Sequence, residues 1–180
     1  VTRLPPLPVD QWDDDVRRAL SPLLPAERAN PRDAGNILAT LVRHPALTHA
    51  YLALNAHLLR GATLSDRVRE VALLRVVHRR ASEYLWSHHV PYAQRAGLTA
   101  ADVDGIRSAD PAERLADPLD RLVVAAVDEF DGDNHISEAT WAALSQFFDE
   151  RQRLDLMFTI GCYGLLSGVV NTLGIEDETD

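Results

Sequence analysis

From Asp33 onward, apolar residues recur at three- and four-residue spacing almost without interruption, and no run of alternating β-branched residues breaks the pattern. A chain patterned this way buries its apolar stripes by packing helix on helix, so the expected fold class is all-α. The spacing predicts helices over 34–43, 45–60, 64–79, 82–96, 119–130, 137–148 and 150–173. A short helix over 99–108 is opened by a capping box at Thr99-Ala-Ala-Asp102. Pro45 suits a first helical turn, the Thr63 hydroxyl is placed to cap the helix after it, and Gly61 and Gly97 are natural stops. DPAERLADP reads as a loop and DGDNH as a turn.

The first 32 residues follow other rules. VTRLPPLPVD holds three prolines and should form an extended arm, a kind of segment that often lies across a neighbour. Trp12 to Leu20 can form a short helix, and 21–33 is broken by Pro22, Pro25 and Pro31. The simplest organisation is one domain over 1–180, with an arm and short helix over 1–32 and a helical core over 33–175. The acidic end IEDETD is expected to fray.

Charge and composition remove several function classes. With 18 basic and 27 acidic residues, a formal charge of -9 and no basic tract, neither a nucleic acid nor an anionic membrane is an expected partner. Small molecules and other subunits remain. There is no Lys in the chain, which excludes a lysine Schiff base and with it ordinary pyridoxal phosphate chemistry. The single cysteine, Cys162, makes no internal disulfide or CxxC pair and is expected to be buried and structural, which suits a cytoplasmic location. No secretory leader pattern opens the chain, and no apolar run reaches the roughly 18 residues of a membrane span.

The chemistry concentrates in ASEYLWSHHVPYAQRAGLT, residues 81–99. On a helix from Ser82, one face collects Ser82, Leu85, Trp86, His89, Tyr92, Ala93 and Ala96. His89 therefore points inward, whereas His88 is turned about 100° away, toward solvent or a pocket rim. Glu70 lies on the apolar side of the preceding helix, in register with Leu73, Leu74 and Val77. A carboxylate there needs a partner, and His89 is the natural one if the two helices form an antiparallel hairpin about HRRA. Such a pair suits proton transfer near neutral pH, the plainer alternative being a hydrogen-bonded core histidine. Tyr84 and Trp86 are candidate pocket walls or simply core, and Glu83 is a candidate for the rim.

Other clusters carry less. His78, His88, His89 and Glu83 lack the spacing of a metal site, so no metal is expected. His49 and His57, eight residues apart, are nearly aligned on one helix that begins beside His44, and one of them could reach the pocket. Arg75 and Arg79 either bind a substrate carboxylate or are ion-paired. Gly161, Gly164, Ser167 and Gly168 would let another helix approach the last one closely, from within the chain or from another subunit.

The run REVALLRV, with Glu70 twelve residues before Ser82, followed by EYLWSHHVPYAQRAGLT, resembles the carboxymuconolactone decarboxylase family, which shares its fold with alkylhydroperoxidase-like proteins. The resemblance is strongest over 50–106, with a weaker echo over 119–168. In the redox branch of that family a CxxC stands where this chain has Ser82 and Leu85, so cysteine-based peroxide reduction is not expected. The non-redox motif resembles Y-E-W-x-x-H, and Leu85 replaces its carboxylate in Tyr84-Leu85-Trp86-Ser87-His88-His89.

The resemblance implies a helical subunit built around a helical hairpin, assembled into trimers or hexamers, without a cofactor. It implies a pocket in which His89 and Glu70 are catalytic and Ser82, Glu83, Tyr84, Trp86 and His88 bind substrate. The expected activity is that of a decarboxylase-like lyase on a small carboxylated lactone or keto acid, with His89 delivering the proton. The alternatives are a non-catalytic ligand-binding protein, or an isomerase, dehydratase or lactone hydrolase using the same pair.

Overall fold

The computed structural model describes residues 1–178; Thr179 and Asp180, the end of the acidic tail, lie outside the described residues. No β-strand occurs among the described residues. The helices are α1 (Asp14–Ala19), α2 (Pro31–Leu41), α3 (Pro45–Ala56), α4 (Asp66–Arg79), α5 (Glu83–Arg95), α6 (Ala100–Arg107), α7 (Pro111–Arg114), α8 (Pro118–Asp133), α9 (Glu138–Phe147) and α10 (Glu150–Leu173). The chain falls into two compact units, one of Val1–Gly61 with Val169–Asp180 and one of Ala62–Gly168.

In the first unit, α1 packs on α3 around Trp12, Val16, Leu20, Leu38 and Leu52. The proline arm folds back on this same unit rather than reaching outward. Leu7 N–H donates to Ala39 O at 2.7 Å, Trp12 Nε1 to Leu7 O at 3.1 Å, and Arg43 Nε to Pro5 O at 2.8 Å. Prolines leave carbonyls without ladder partners, and Arg43 satisfies those of Pro5 and Pro6. The described part of the acidic tail is pinned as well. Asn36 donates to Glu178 Oε1 and Glu176 O, and Gly174, at φ 65°, turns the chain where a Cβ would stand 2.5 Å from Val1 O. Gly35, at φ 66°, kinks α2, and α3 runs into a π-helical turn over His57–Gly61.

The second unit is built on α4, in which Val71, Ala72, Leu73, Leu74, Val76 and Val77 are fully buried. α5 and α8 both pack against it. Ser65, not Thr63, caps α4, its hydroxyl accepting from Val68 N–H at 3.3 Å. Thr63 donates instead through both N–H and hydroxyl to Asp155, at 2.7 and 2.8 Å. The capping box at Thr99 and Asp102 opens α6. The DPAERLADP segment is not wholly a loop, since Pro111 nucleates the single turn α7. DGDNH begins within α8, which ends at Asn134 in a left-handed conformation.

The turn between α4 and α5 is a Schellman motif, with Ala81 N–H donating to His78 O and Ser82 N–H to Val77 O, both at 2.9 Å. Its left-handed position is Ala81, at φ 51°, where glycine is usual. Gly97 closes α5 in the same way at φ 94°.

α10 corrects one expectation. No uninterrupted apolar run is present, but glycines and hydroxyl residues interrupt this helix without making it polar. By length and composition it is the one helix among the described residues able to cross a membrane, with a mean hydropathy of 1.5 over its best window, 44% of which is buried within the protein. At Gly164 a Cβ would meet Val76 at 3.6 Å, an ordinary contact that does not require glycine, while Gly168 faces open space. Cys162 is buried, as expected.

Candidate functional site

The antiparallel pairing of α4 with α5 brings Glu70 and His89 together, with Nδ1 of His89 3.1 Å from Oε2 of Glu70. The Glu70 side chain is 1% exposed and that of His89 13%, so the carboxylate is sealed while one edge of the imidazole keeps access to solvent. A carboxylate oxygen only accepts, so Nδ1 carries the proton of this hydrogen bond and Nε2 is the nitrogen left for a substrate. Tyr163 of α10, itself buried, meets the imidazole edge to face at 5.2 Å and 84°, and Tyr92 lies 5.6 Å from it. The ring is therefore held in orientation as well as hydrogen-bonded.

The second oxygen of Glu70 is also occupied. Nε and Nη2 of Arg69 each lie 3.2 Å from Oε1, and Nη1 of Arg69 reaches Asp66 at 2.8 Å. The pair is thus the end of a chain running Asp66, Arg69, Glu70, His89. Arg69 and Tyr163 are site residues that the sequence reading missed. The three-residue Asp66–Arg69 spacing was the available signal for the first.

The other predicted site residues divide. Ser82 is 1% exposed, forms no cap with its side chain, and leaves its hydroxyl buried without a hydrogen-bond partner. Tyr84 is buried, and His88 stacks on its ring at 4.1 Å. Nδ1–H of His88 donates to Tyr84 O at 2.7 Å, which ties that ring to its own helix, and His88 is partly exposed.

Trp86 and Glu83 engage elsewhere. Trp86 meets His78 at 5.9 Å and carries the Arg107 guanidinium over its ring at 4.7 Å. Glu83, largely exposed, is bound to Arg107 at 2.6 and 2.7 Å. Tyr92, placed by spacing on the inward face, is 54% exposed, and Pro91 lies within this last part of α5.

The two arginines in question are ion-paired. Arg75 is buried and binds Asp128 through two parallel bonds of 2.7 and 2.8 Å, with Nη1 donating to the carbonyls of Ile106 and Ser108. Arg79 binds Asp131 at 3.0 Å and Asp128 at 3.3 Å. Burial, with Arg75 and Arg107 nearby, lowers the proton affinity of His78 below that of a free histidine. His49 and His57 are exposed and belong to the first unit, not to the one that holds Glu70 and His89.

Residues 45–116 match the model of the Carboxymuconolactone decarboxylase family. Comparison with curated proteins gave no match. Among solved structures, the chain is similar to an alkylhydroperoxidase AhpD core, peroxidase-related protein from Ralstonia eutropha JMP134, with a TM-score of 0.79 at 18% identity over 99% of this chain and 93% of that one. It is similar to the debrominase Bmp8, with a TM-score of 0.74 at 15% identity over 99% and 94%. A putative antioxidant defence protein AhpD from Agrobacterium tumefaciens aligns with a TM-score of 0.66 at 14% identity over 77% and 94%.

These likenesses place the chain in the all-α, alkylhydroperoxidase-like fold class. Within that class, its residues 45–116 match the carboxymuconolactone decarboxylase family model. One cysteine in the whole chain means that no CxxC is present, whatever the relatives carry.

Proposed function

We propose that this protein is a cofactor-independent enzyme that transfers a proton through the Glu70–His89 pair, in a decarboxylase-like reaction on a small carboxylated lactone or keto acid. The observation that carries this reading is the 3.1 Å contact between Nδ1 of His89 and the sealed Glu70 carboxylate. The family match over 45–116 supports the reaction class.

In the reaction, the bond from carbon to the leaving carboxylate breaks and its electron pair becomes an enolate or dienolate as CO2 departs. His89, entering as the imidazolium, gives its Nε2 proton to carbon and ends as the neutral ring with Nδ1–H still on Glu70. Solvent returns the proton, so one carboxylate and one proton give one CO2 and one C–H bond. The buried Ser82 hydroxyl, with no partner of its own, would bind a polar group of the substrate away from the reacting carbon. It lies two helical turns from His89 on the same face, about 10 Å by helical rise, so the substrate would be elongated along α5. Assembly into trimers or hexamers belongs to the same proposal.

One observation favours a second reading. Leu85 is buried where the non-redox motif has a carboxylate, and a pocket without that group could bind an acid without turning it over. A panel of lactone and keto acids separates the two. His89→Ala and Glu70→Gln should each lower turnover by about 10^2- to 10^4-fold. Unchanged turnover in both would remove the proton-transfer reading, while protection against melting without turnover by the wild type would favour the binding one.

A further inference from the structure

We infer that Arg69 is a positioning residue for the Glu70–His89 pair, one that fixes which nitrogen of His89 faces the substrate. The inference rests on the proton-transfer reading for its catalytic consequence, but not for its structural content.

A carboxylate on a buried helix face can rotate about its last torsion, which is broad and nearly two-fold. With His89 as its only partner, the carboxylate is also free to turn through its other side-chain torsions and leave Nδ1, and the ring then has no acceptor to hold its proton there. In the structure the oxygens are not equivalent. Oε1 accepts from Nε and Nη2 of Arg69, both at 3.2 Å, and Oε2 is left to face Nδ1 of His89 at 3.1 Å.

The guanidinium is itself held. Its side chain is 12% exposed, and Nη1 donates to Asp66 Oδ1 at 2.8 Å on the preceding turn of α4. Neighbouring helix positions do not ordinarily face each other, so this arginine has to lie back along its own helix to reach Glu70. The Asp66 contact, three residues earlier, is the tether that brings it there. Arg69 thus selects the carboxylate rotamer, the rotamer presents Oε2 to Nδ1, and that bond keeps the proton on Nδ1 and leaves Nε2 as the reacting nitrogen. Arg69 makes no contact with His89 and acts only through Glu70.

The test reads the tautomer directly, by long-range nitrogen–proton NMR on full-length protein labelled at histidine nitrogens, at a pH where the His89 ring is neutral. The wild type should show the Nδ1–H form. In Arg69→Met the signal should move toward a mixture of both tautomers, while circular dichroism stays that of the wild type. Arg69→Lys, which restores a donor for Oε1, should return the Nδ1–H form and guards against an effect of misfolding. On a substrate, Arg69→Met should lower kcat by about 10- to 100-fold with KM little changed, as expected for a misplaced group that does not bind substrate.

An unchanged Nδ1–H tautomer in folded Arg69→Met overturns the inference, and so does a Lys variant that folds but keeps the mixture. The two readings fail separately. A shifted tautomer in a protein that turns over no acid leaves the positioning role intact and removes the proton-transfer reading.

Discussion

Ala81→Gly should stabilise the protein, and the size of the effect can be worked out from the turn. Ala81 holds φ at 51° at the left-handed position of the Schellman motif that joins α4 to α5. For a residue with a Cβ this conformation costs about 1–2 kcal/mol, which glycine does not incur. Glycine has more freedom in the unfolded chain, a loss of about 0.4–1 kcal/mol on folding. The methyl group is exposed, so removing it empties no cavity. The net gain is about 0.5–1 kcal/mol, or roughly 1–4 °C in Tm for a protein of this size. Ala81→Val should act in the opposite direction, because a β-branched residue tolerates positive φ least. Thermal and urea denaturation of the three proteins provide the measurement. A midpoint for Ala81→Gly equal to or below the wild type would refute the reasoning, since it would mean that the left-handed turn carries no strain that glycine relieves.

Two further outcomes follow from the charged groups beside the same helix. Arg75→Met should cost about 3–5 kcal/mol, because it strands the Ile106 and Ser108 carbonyls and half-frees Asp128; the low end is expected because Arg79 still reaches Asp128 at 3.3 Å, and a urea midpoint within error of the wild type would contradict it. The lowered proton affinity of His78, caused first by burial and then by Arg75 and Arg107, means that below about pH 6.5 the unfolded chain takes up a proton that the folded one does not. The stability His78 contributes is therefore complete above that pH and falls away as the pH drops through the lower folded value. A Tm series from pH 7.5 to 5 should show the decline, and His78→Gln should flatten it.

The fold was legible because helical periodicity is a local signal that tertiary packing reinforces. The helices over 34–43, 64–79, 82–96, 137–148 and 150–173 appear within a few residues of their expected ends. Errors arose where two local signals competed. Thr63 and Ser65 both precede α4, and the choice of cap was decided by Asp155, 92 residues away, which takes the threonine. The proline arm reads as extended from its composition, but its destination depended on which donors the fold placed near Pro5 and Pro6, and these came from Arg43. Ala81 gave no warning of its left-handed conformation, since the signal for such a turn is a glycine and this position holds alanine.

The site shows a sharper limit. Glu70 and His89 could be paired from sequence because each is an anomaly, a polar group on an apolar face, and a buried carboxylate must find a partner. Glu83, His88 and Trp86 look equally chemical in the sequence, but Glu83 and Trp86 are taken up by Arg107, and His88 by the carbonyl and ring of Tyr84. What separates the two groups is the alternative partner, and sequence spacing does not reveal it. Arg69 illustrates the converse. It sits beside Glu70 in the chain, at a spacing that ordinarily keeps side chains apart, and the Asp66 tether folds it back on to the carboxylate. The proton-bearing nitrogen of His89 is therefore traceable to an exposed aspartate one turn up the helix, and substitutions at Asp66 should reach the site through Arg69 rather than through any contact of their own.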